Sequence, residues 1–425
     1  MRRAGLVALA LVLAGCGNSG GTDSGTDGEV TGEITVLTQR TDIVDTVFAE
    51  YKKAFEAKYP GTTVKFEAIT DYEGEVRIRM NTQDYGDVLP IPNSVTADQL
   101  ATFFEPLGSV DELKDRYRFV RTEQTFEDKV YGVAITGNAQ GFVYNKTVWQ
   151  AAGATVPPKT PDEFLAGLQA IKDRTEAIPL YTNYKDKWPL GQWENLRGGV
   201  TGDPDAVIKL GEDTAPWAAG KEHYVFDSLL FDAVQRGLVE PDPSTTNWEQ
   251  SKVLLGTGKV ATMMLGSWSI VQMQQAAPNK TDIGYMPFPA QTGGAFHTVV
   301  SGDYKNGINV NSKNKATAKA WIDWFATESG YAVDQGGISP VISDQLPDTL
   351  ADLTAAGTRF IELNPAPKGK EGLADKIGNE AEIALFDGDY RQKIVDAARG
   401  ASKQSKDELF NDLNTRWAEA QSSLK

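Results

Sequence analysis

The chain contains very little cysteine and histidine. Its 425 residues include a single cysteine, Cys16, and only two histidines, His223 and His297, which lie far apart in the sequence. One cysteine cannot form an intramolecular disulfide, and two separated histidines do not supply the usual ligands of a zinc site. The composition therefore predicts a fold that is stabilised by its core alone, with no metal and no cofactor.

Basic residues are also in deficit, because 42 lysines and arginines face 58 aspartates and glutamates, for a formal net charge of −16. A chain of this sign is not expected to bind nucleic acid. No nucleotide-binding glycine motif follows a predicted strand, and no Gly-x-Ser-x-Gly elbow between a strand and a helix accompanies the two histidines. Carboxylates are plentiful, but no specific pair suited to glycoside hydrolysis can be named.

No hydrophobic run reaches the roughly 20 residues that a membrane-spanning helix requires. The apolar segment from Ala4 to Ala14 follows Arg2 and Arg3, and it precedes Gly15. A basic start, a short apolar core and a small-residue cleavage site predict a secretory signal peptide over residues 1–15.

The residues Leu13-Ala14-Gly15-Cys16 resemble the bacterial lipobox. The resemblance implies diacylation of Cys16, and more than one acyl chain makes a stable membrane anchor. Residues 17–32 are mostly Gly, Ser, Thr and Asp, which predicts a flexible tether with a reach of roughly 20–24 Å. We expect residues 16–32 to hold the protein at the outer face of the cell membrane. The alternative is an ordinary signal peptide with a chance cysteine.

The next segments alternate between strand and helix patterns. Ile34 to Leu37 is typical of a strand, apolar residues recur at helical spacing from Ile43 to Phe55, and Thr63 to Ile69 is typical of a second strand. Such a βαβ unit implies a parallel sheet and an α/β fold. Helices are also predicted from Pro161 to Arg174 and over much of the region after Gly372.

Several of the nine tryptophans lie in polar, loop-like segments. Trp268 follows an apolar strand pattern from Val260 to Leu265, and open α/β sheets bind ligands beyond the carboxyl ends of their strands. An indole can cover the apolar face of a sugar ring while polar side chains pair with the hydroxyls. Trp268 and Trp188 are therefore predicted to contact a ligand. Tryptophans at helical spacing are predicted to pack in the core instead: Trp321, Trp324 and Trp417.

Four segments carry a further pattern: Tyr131 to Lys146, Pro157 to Phe164 (PPKTPDEF), Gly258 to Trp268 (GKVATMMLGSW) and Ile308 to Trp321. In order and spacing they resemble the carbohydrate-binding family of extracellular solute-binding proteins of ABC importers, which includes maltose-binding protein. The resemblance extends from about Ile34 to the end of the chain.

The resemblance implies two α/β lobes that are joined by crossing strands and close on a ligand by a hinge motion. It places residues 33–139 and 297–345 in lobe 1, and residues 140–296 and 346–425 in lobe 2. The implied function is to capture a sugar or oligosaccharide outside the cell and deliver it to a membrane permease. We expect a monomer that carries out no chemistry and contacts the membrane only through its lipid.

The resemblance also implies a set of ligand contacts. They comprise aromatic residues near the cleft and polar residues in strand-end loops or beside the crossings: Trp268, Trp188, Tyr184, Asn138, Asn93, Ser94, Gln39, Arg40, Asp303 and Tyr304. Family members often have a carboxylate where Asn138 stands, so the pattern of hydroxyl recognition differs at that position.

Three other functions are compatible with the sequence. A secreted glycosidase on a related scaffold would turn over a glycoside. A surface adhesion or signalling module would bind a partner in the same cleft. A binding protein for a non-sugar solute, such as a peptide or polyamine, would share the fold and the hinge motion.

Overall fold

A computed structural model describes residues 26–424. Cys16, the predicted signal peptide and the first part of the predicted tether lie outside these residues. Within residues 26–424, no helix combines the length and the apolar character that a membrane crossing requires.

The first part of the chain alternates between strands and helices: β1 (Gly32–Thr38), α1 (Val47–Lys58), β2 (Thr62–Ala68), α2 (Tyr72–Arg79), β3 (Val88–Pro90), α3 (Leu100–Phe103), β4 (Phe104–Glu105), β5 (Gly108–Ser109), α4 (Val110–Leu113), β6 (Thr125–Phe126), β7 (Lys129–Val130) and β8 (Val133–Ala134). The strands β5, β6 and β7 form a small separate sheet, and the others belong to the first of two larger sheets.

The middle of the chain builds most of the second sheet and its covering helices: β9 (Gly137–Asn145), α5 (Lys146–Ala151), α6 (Pro161–Arg174), α7 (Trp188–Gly191), α8 (Ala206–Glu212), α9 (Glu222–Gln235), α10 (Trp248–Gly256), β10 (Thr262–Gly266), α11 (Ser269–Ala276), β11 (Ile283–Met286), β12 (Gln291–Thr292) and β13 (Ala295–Gly302).

The last part of the chain contributes to both sheets: β14 (Lys305–Asn309), α12 (Lys315–Thr327), α13 (Tyr331–Asp334), α14 (Ala351–Ala355), β15 (Arg359–Ile361), α15 (Leu373–Glu380), α16 (Asp389–Ala398) and α17 (Lys406–Ser423). Single 3₁₀ turns connect several elements: Ala97–Gln99, Tyr184–Asp186, Gln192–Leu196, Pro243–Thr245, Lys280–Asp282 and Asp348–Leu350.

The first sheet combines the start of the chain with a strand from much later. β1 pairs in parallel with β2 and β3, as the predicted βαβ unit requires. β14 then pairs antiparallel with β3, β4 and β8. Phe55 of α1 and Trp321 of α12 are fully buried in the core of this sheet, and Trp324 is also buried. The predicted packing role of Trp321 and Trp324 is confirmed.

The second sheet is organised around β9, all of whose residues are buried. β9 pairs antiparallel with β10, β11 and β13, and β13 also pairs with β12 and β15. Its core contains Phe142 of β9, Trp149 of α5 and Trp417 of α17. Trp417 is fully buried, which confirms its predicted packing role. The two mixed sheets and the helices that pack on them agree with the predicted α/β fold class.

The chain passes between the sheets where β8 is followed by β9 and where β13 is followed by β14. These crossings run side by side, because the Ile135 amide donates to the Tyr304 carbonyl at 2.9 Å and the Asp303 amide donates to the Thr136 carbonyl at 2.8 Å. Ile338 adds a third segment through an isolated bridge to Gly137. The predicted boundary at residue 297 falls inside β13, which pairs with β9, so the chain leaves the second sheet a few residues later.

Local sequence patterns predict the boundaries of one helix correctly and the start of another incorrectly. The predicted helix from Pro161 to Arg174 is confirmed, because the Thr160 side chain caps it and Pro161 occupies its first turn. The first helix begins at Val47 rather than at Ile43. Residues 41–46 form a turn instead, and that turn lies beside the cleft described next.

Candidate ligand-binding cleft

A cleft of about 780 Å³ opens between the two sheets. One wall consists of the loop after β1 together with α13, the opposite wall consists of α10, Trp268 and α11, and the crossing segments form the floor. Its lining residues are Gln39, Arg40, Asp42, Ile43, Tyr331 and Gln335 on the first wall, Glu249, Lys252, Val253, Trp268, Val271, Gln272, Gln275 and Ala276 on the second, and Thr136, Asn138, Asp303 and Gly337 on the floor.

Arg40 is fixed in the first wall by three side chains. Its Nε and Nη2 donate to the two carboxylate oxygens of Asp42 at 2.9 and 2.8 Å, and its Nη1 donates to the Tyr331 hydroxyl at 2.9 Å and to Gln335 Oε1 at 2.7 Å. Burial acts to lower the pKa of Arg40, but Asp42 and Tyr331 outweigh burial and raise that pKa. The guanidinium is therefore a charged donor whose position is set before a ligand arrives.

The floor carries a carboxylate and an amide side by side. Burial raises the pKa of Asp303, while Lys305, the Tyr304 amide and the Asn138 side chain act in the opposite direction. Asn138 Oδ1 and Gln39 Oε1 are buried, and within the described residues neither has a hydrogen-bond partner. Buried acceptors of this kind are suited to bonds from the hydroxyls of a ligand. Asp303 places a carboxylate next to Asn138 on the floor of the cleft.

Trp268 presents the aromatic surface of the second wall. It directly precedes α11 and is half-buried. Its ring centroid lies 5.8 Å from that of Trp188 and 5.5 Å from that of Trp248, and the Trp188 and Trp248 rings are 4.9 Å apart. We call these three side chains the indole cluster. A Cβ on Gly266 would lie 2.6 Å from Trp268 Nε1, so the glycine two residues earlier leaves the space that this indole occupies.

Five of the ten predicted contacts line the cleft and five do not. Those that line it are Gln39, Arg40, Asn138, Trp268 and Asp303, and those that do not are Asn93, Ser94, Tyr184, Trp188 and Tyr304. Trp188 does not line the cleft, but its ring lies beside that of Trp268 in the indole cluster. The other four have different surroundings.

Asn93 and Tyr304 share a carboxylate away from the cleft. The Asn93 amide and side chain donate to Glu73 at 3.1 Å, and the Tyr304 hydroxyl donates to the same carboxylate at 2.9 Å. Ser94 is an exposed neighbour of Asn93. These side chains join α2 to the loop after β3 and to the crossing at Tyr304.

Tyr184 contacts the C-terminal part of the chain instead of the cleft. Its hydroxyl donates to Asp396 of α16 at 2.9 Å, and its carbonyl accepts a bond from Gln392 at 2.8 Å. Burial and the Asp396 hydrogen bond raise the pKa of Tyr184 to about 12. Tyr184 therefore fixes the segment before Trp188 to α16.

The two cations that line the cleft each have an acidic partner. Arg40 pairs with Asp42 at 2.8 Å, and Lys252 pairs with Glu249 at 2.7 Å. Within residues 26–424, no group of three histidine, cysteine or carboxylate side chains is placed to hold a metal ion. The cleft thus offers hydrogen-bonding groups and one indole face, and the charge of its cations is neutralised by neighbouring carboxylates.

Sequence reasoning missed several lining residues. Asp42 follows two residues after Arg40 and could have been found from that proximity. Tyr331 and Gln335 could not, because they reach Arg40 from α13 and the residue that follows it, nearly 300 residues later, and no local pattern marks them. Glu249 and Lys252 sit on a helix whose cleft-facing side is polar and resembles an ordinary exposed surface.

Comparison with known proteins places this fold and cleft in a family. The family model described as bacterial extracellular solute-binding protein matches residues 40–332 of this chain. The multiple sugar-binding protein of Streptococcus mutans is 27% identical over 337 residues, which cover 76% of this chain and 77% of that protein.

Two solved structures from Bifidobacterium animalis subsp. lactis are similar over nearly their whole length. BlMnBP1, a binding protein of an ABC transporter in complex with mannobiose, has a TM-score of 0.83 and 33% identity, and the match covers 93% of this chain and 95% of that one. BlMnBP2, a manno-oligosaccharide specific solute binding protein in complex with mannotriose, has the same TM-score and identity, with coverage of 96% and 97%. The chain belongs to the bacterial extracellular solute-binding proteins.

Proposed function

We propose that this protein is the sugar-binding component of an ABC importer and that it captures a neutral oligosaccharide in the cleft and delivers it to the membrane permease. The observation that carries the proposal is that the cleft combines one indole face, Trp268, with buried amide acceptors on Gln39 and Asn138. A sugar ring has an apolar face and a rim of hydroxyls, and these groups complement both features.

The ion pairs of Arg40 and Lys252 favour a ligand without net charge. Arg40 and Lys252 are each engaged by a carboxylate, so neither is available as an uncompensated partner for an acidic sugar. Asp303 on the floor adds negative charge, which also disfavours a uronic acid. Hydroxyl groups can donate to Asp303 and can accept from the fixed guanidinium of Arg40.

Mannose-based oligosaccharides are the first ligands to test. The two similar structures at 33% identity are complexes with mannobiose and mannotriose. The multiple sugar-binding protein of Streptococcus mutans supports the wider class of sugars. The protein binds its ligand without changing it, in line with relatives that are named as binding proteins.

The two walls come from different sheets, so a ligand that touches both would draw them together about the crossings. We assign residues 33–136 and the return segment from residue 303 to residue 345 to lobe 1, and the remainder to lobe 2, because β9 and β13 belong to the second sheet. The topology supports moving the second crossing from residue 297 to the turn between Gly302 and Lys305. Both walls of the cleft come from the same chain, which is consistent with a monomer.

Attachment to the membrane is a separate part of the proposal. The lipobox-like Leu13 to Cys16 and the following small, polar residues support a lipid anchor on Cys16 and a tether. Both lie before the folded region that begins with β1. The anchor would hold the cleft at the outer face of the membrane, close to its permease.

A thermal-shift screen with manno-oligosaccharides, other neutral sugars, uronic acids, peptides and polyamines tests this function. A ligand at 100 times its Kd stabilises the folded protein by about 2.7 kcal/mol, which a melting curve detects readily. We expect neutral oligosaccharides to raise the melting temperature and to be recovered unchanged after incubation. Stabilisation by only a charged or non-sugar solute, or cleavage of the sugar, would contradict the proposal.

A further inference from the structure

We propose that Trp188, which lies outside the cleft, provides an outer subsite that stacks against an additional ring of a longer oligosaccharide. This inference rests on the proposed function and specifies the length of its ligand. The residues that line the cleft would hold the part of the oligosaccharide inside it, and Trp188 would hold the part that emerges beside Trp268.

The exposure of Trp188 is the first observation. Its side chain is 37% exposed, whereas Trp248 and Trp268 in the same cluster are half-buried. Large aromatic surfaces that remain in water beside a binding site are typical of contact surfaces. The surface is also continuous with a ligand-binding wall, since Trp188 touches the indole that lines the cleft.

The geometry of the indole cluster is the second observation. The rings of Trp188 and Trp268 are inclined by 43° with centroids 5.8 Å apart, so the two indoles form one bent surface that runs from the cleft to the outside. Trp248 meets Trp188 edge-on at 77° and 4.9 Å, and the ammonium group of Lys252 lies 5.4 Å from the Trp248 ring centroid. Trp248 therefore supports Trp188 from the side and holds its orientation.

The backbone around Trp188 is the third observation, because it is tightly fastened. Lys187 pairs with Asp389 at the start of α16 at 2.6 Å, but both side chains are about half exposed, so the close backbone packing matters more. A Cβ on Gly191 would lie 2.2 Å from the Phe386 carbonyl oxygen, and a Cβ on Gly388 would lie 2.2 Å from the Lys187 carbonyl oxygen. These close approaches fix α7 against the segment before α16. Trp188 is thus an exposed aromatic on a rigid support, as a stacking platform requires.

Binding of a series from mannobiose to mannopentaose, measured by titration calorimetry, tests the outer subsite. We expect Trp188→Ala to weaken binding of the longest chain about tenfold, equivalent to about 1.4 kcal/mol, and to change mannobiose binding less than about twofold. Trp188→Phe should retain most of the affinity, since it keeps an aromatic face. Phe386→Ala is the matched control, because Phe386 is 49% exposed in the neighbouring segment but does not belong to the indole cluster.

Two results would overturn the inference, and a third would refute the function on which it rests. An equal loss for mannobiose and mannopentaose in a folded Trp188→Ala protein would mean that Trp188 only supports Trp268. Unchanged binding of every oligosaccharide would show that there is no subsite at Trp188. If sugar uptake by cells were then impaired, the exposed indole would be a contact for the permease. A wild-type protein that binds no sugar of any length would instead refute the proposed function, which keeps the two failures distinct.

Discussion

Replacement of Arg391 by methionine should destabilise the second lobe strongly. Arg391 is fully buried on α16, where its Nε donates to Asp227 at 2.9 Å and its Nη2 donates to Glu194 at 2.8 Å. Methionine fills much of the same space but leaves two buried carboxylates without their shared cation. Glu194 keeps Arg197 and His223, each at 3.1 Å, so its carboxylate stays partly compensated.

The expected loss is about 3–5 kcal/mol in the free energy of unfolding at neutral pH, the cost of removing one partner from a buried ion pair. Lys370→Met is the matched control in the same lobe. Lys370 pairs with Glu212 at 2.7 Å, but both side chains are about half exposed, so the control should lose less than about 1 kcal/mol.

The loss should also depend on pH. Burial acts to raise the pKa of Glu194, but His223, Arg197 and Arg391 outweigh burial and hold that pKa well below its usual range. A lowered pKa in the folded state stabilises the protein above the unfolded-state pKa of about 4.3, and this stability is lost as the pH falls toward the folded-state value. Without Arg391 this contribution shrinks, so wild type and variant should differ most near neutral pH and converge in acid.

Urea unfolding followed by tryptophan fluorescence and circular dichroism, at pH 7 and at a series of acidic pH values down to about pH 2, measures both quantities. A loss as small as that of Lys370→Met at pH 7 would refute the assignment of a stabilising buried network. A difference that stays constant, or grows, as the pH falls would refute the role given to the ionised form of Glu194.

Three further changes give expected outcomes. Gly266→Ala places a Cβ against the Trp268 ring, so it should weaken sugar binding at least fivefold in titration calorimetry while the protein stays folded; unchanged affinity would show that the position of this indole is not critical. Burial raises the pKa of Asp303, and because its ionised form accepts from sugar hydroxyls, affinity should fall as the pH drops through that pKa; Asp303→Asn should weaken neutral-pH binding and flatten the profile, and a wild-type affinity independent of pH between 4 and 7 would contradict this. Cys16→Ser should release the protein from membranes into the soluble fraction with sugar affinity unchanged; a protein that stays with the membrane fraction would remove the lipid anchor.

The parts of the fold that were predictable depend on contacts close in sequence. The β1–α1–β2 unit and the helix from Pro161 to Arg174 carry their own periodicity, capping and stop signals, so the residues alone determine them. The position of Trp268 was also accessible, since a tryptophan just beyond an apolar strand follows a general rule for ligands in α/β sheets.

The rest depends on contacts between distant segments. Tyr184 has the polar, aromatic surroundings of a ligand contact, yet Asp396 on a helix more than 200 residues later binds its hydroxyl. Tyr304 likewise turns to Glu73 while its neighbour Asp303 faces the cleft. The side chains of two adjacent residues in a crossing segment face opposite directions. Only the pairing of the crossing segments decides which of the two lines the cleft.

The order of strands in the first sheet has a consequence for how the chain folds. β3 and β4 are hydrogen-bonded to β14, so the middle of this sheet stays open until residues 305–309 have been synthesised. The helix that closes its core, α12, follows later still, with Trp321 packed against Phe55 at a ring distance of 5.1 Å. Contacts this far apart in sequence make folding slow. During synthesis, the N-terminal part therefore lacks its final partners and stays incompletely folded for a prolonged period.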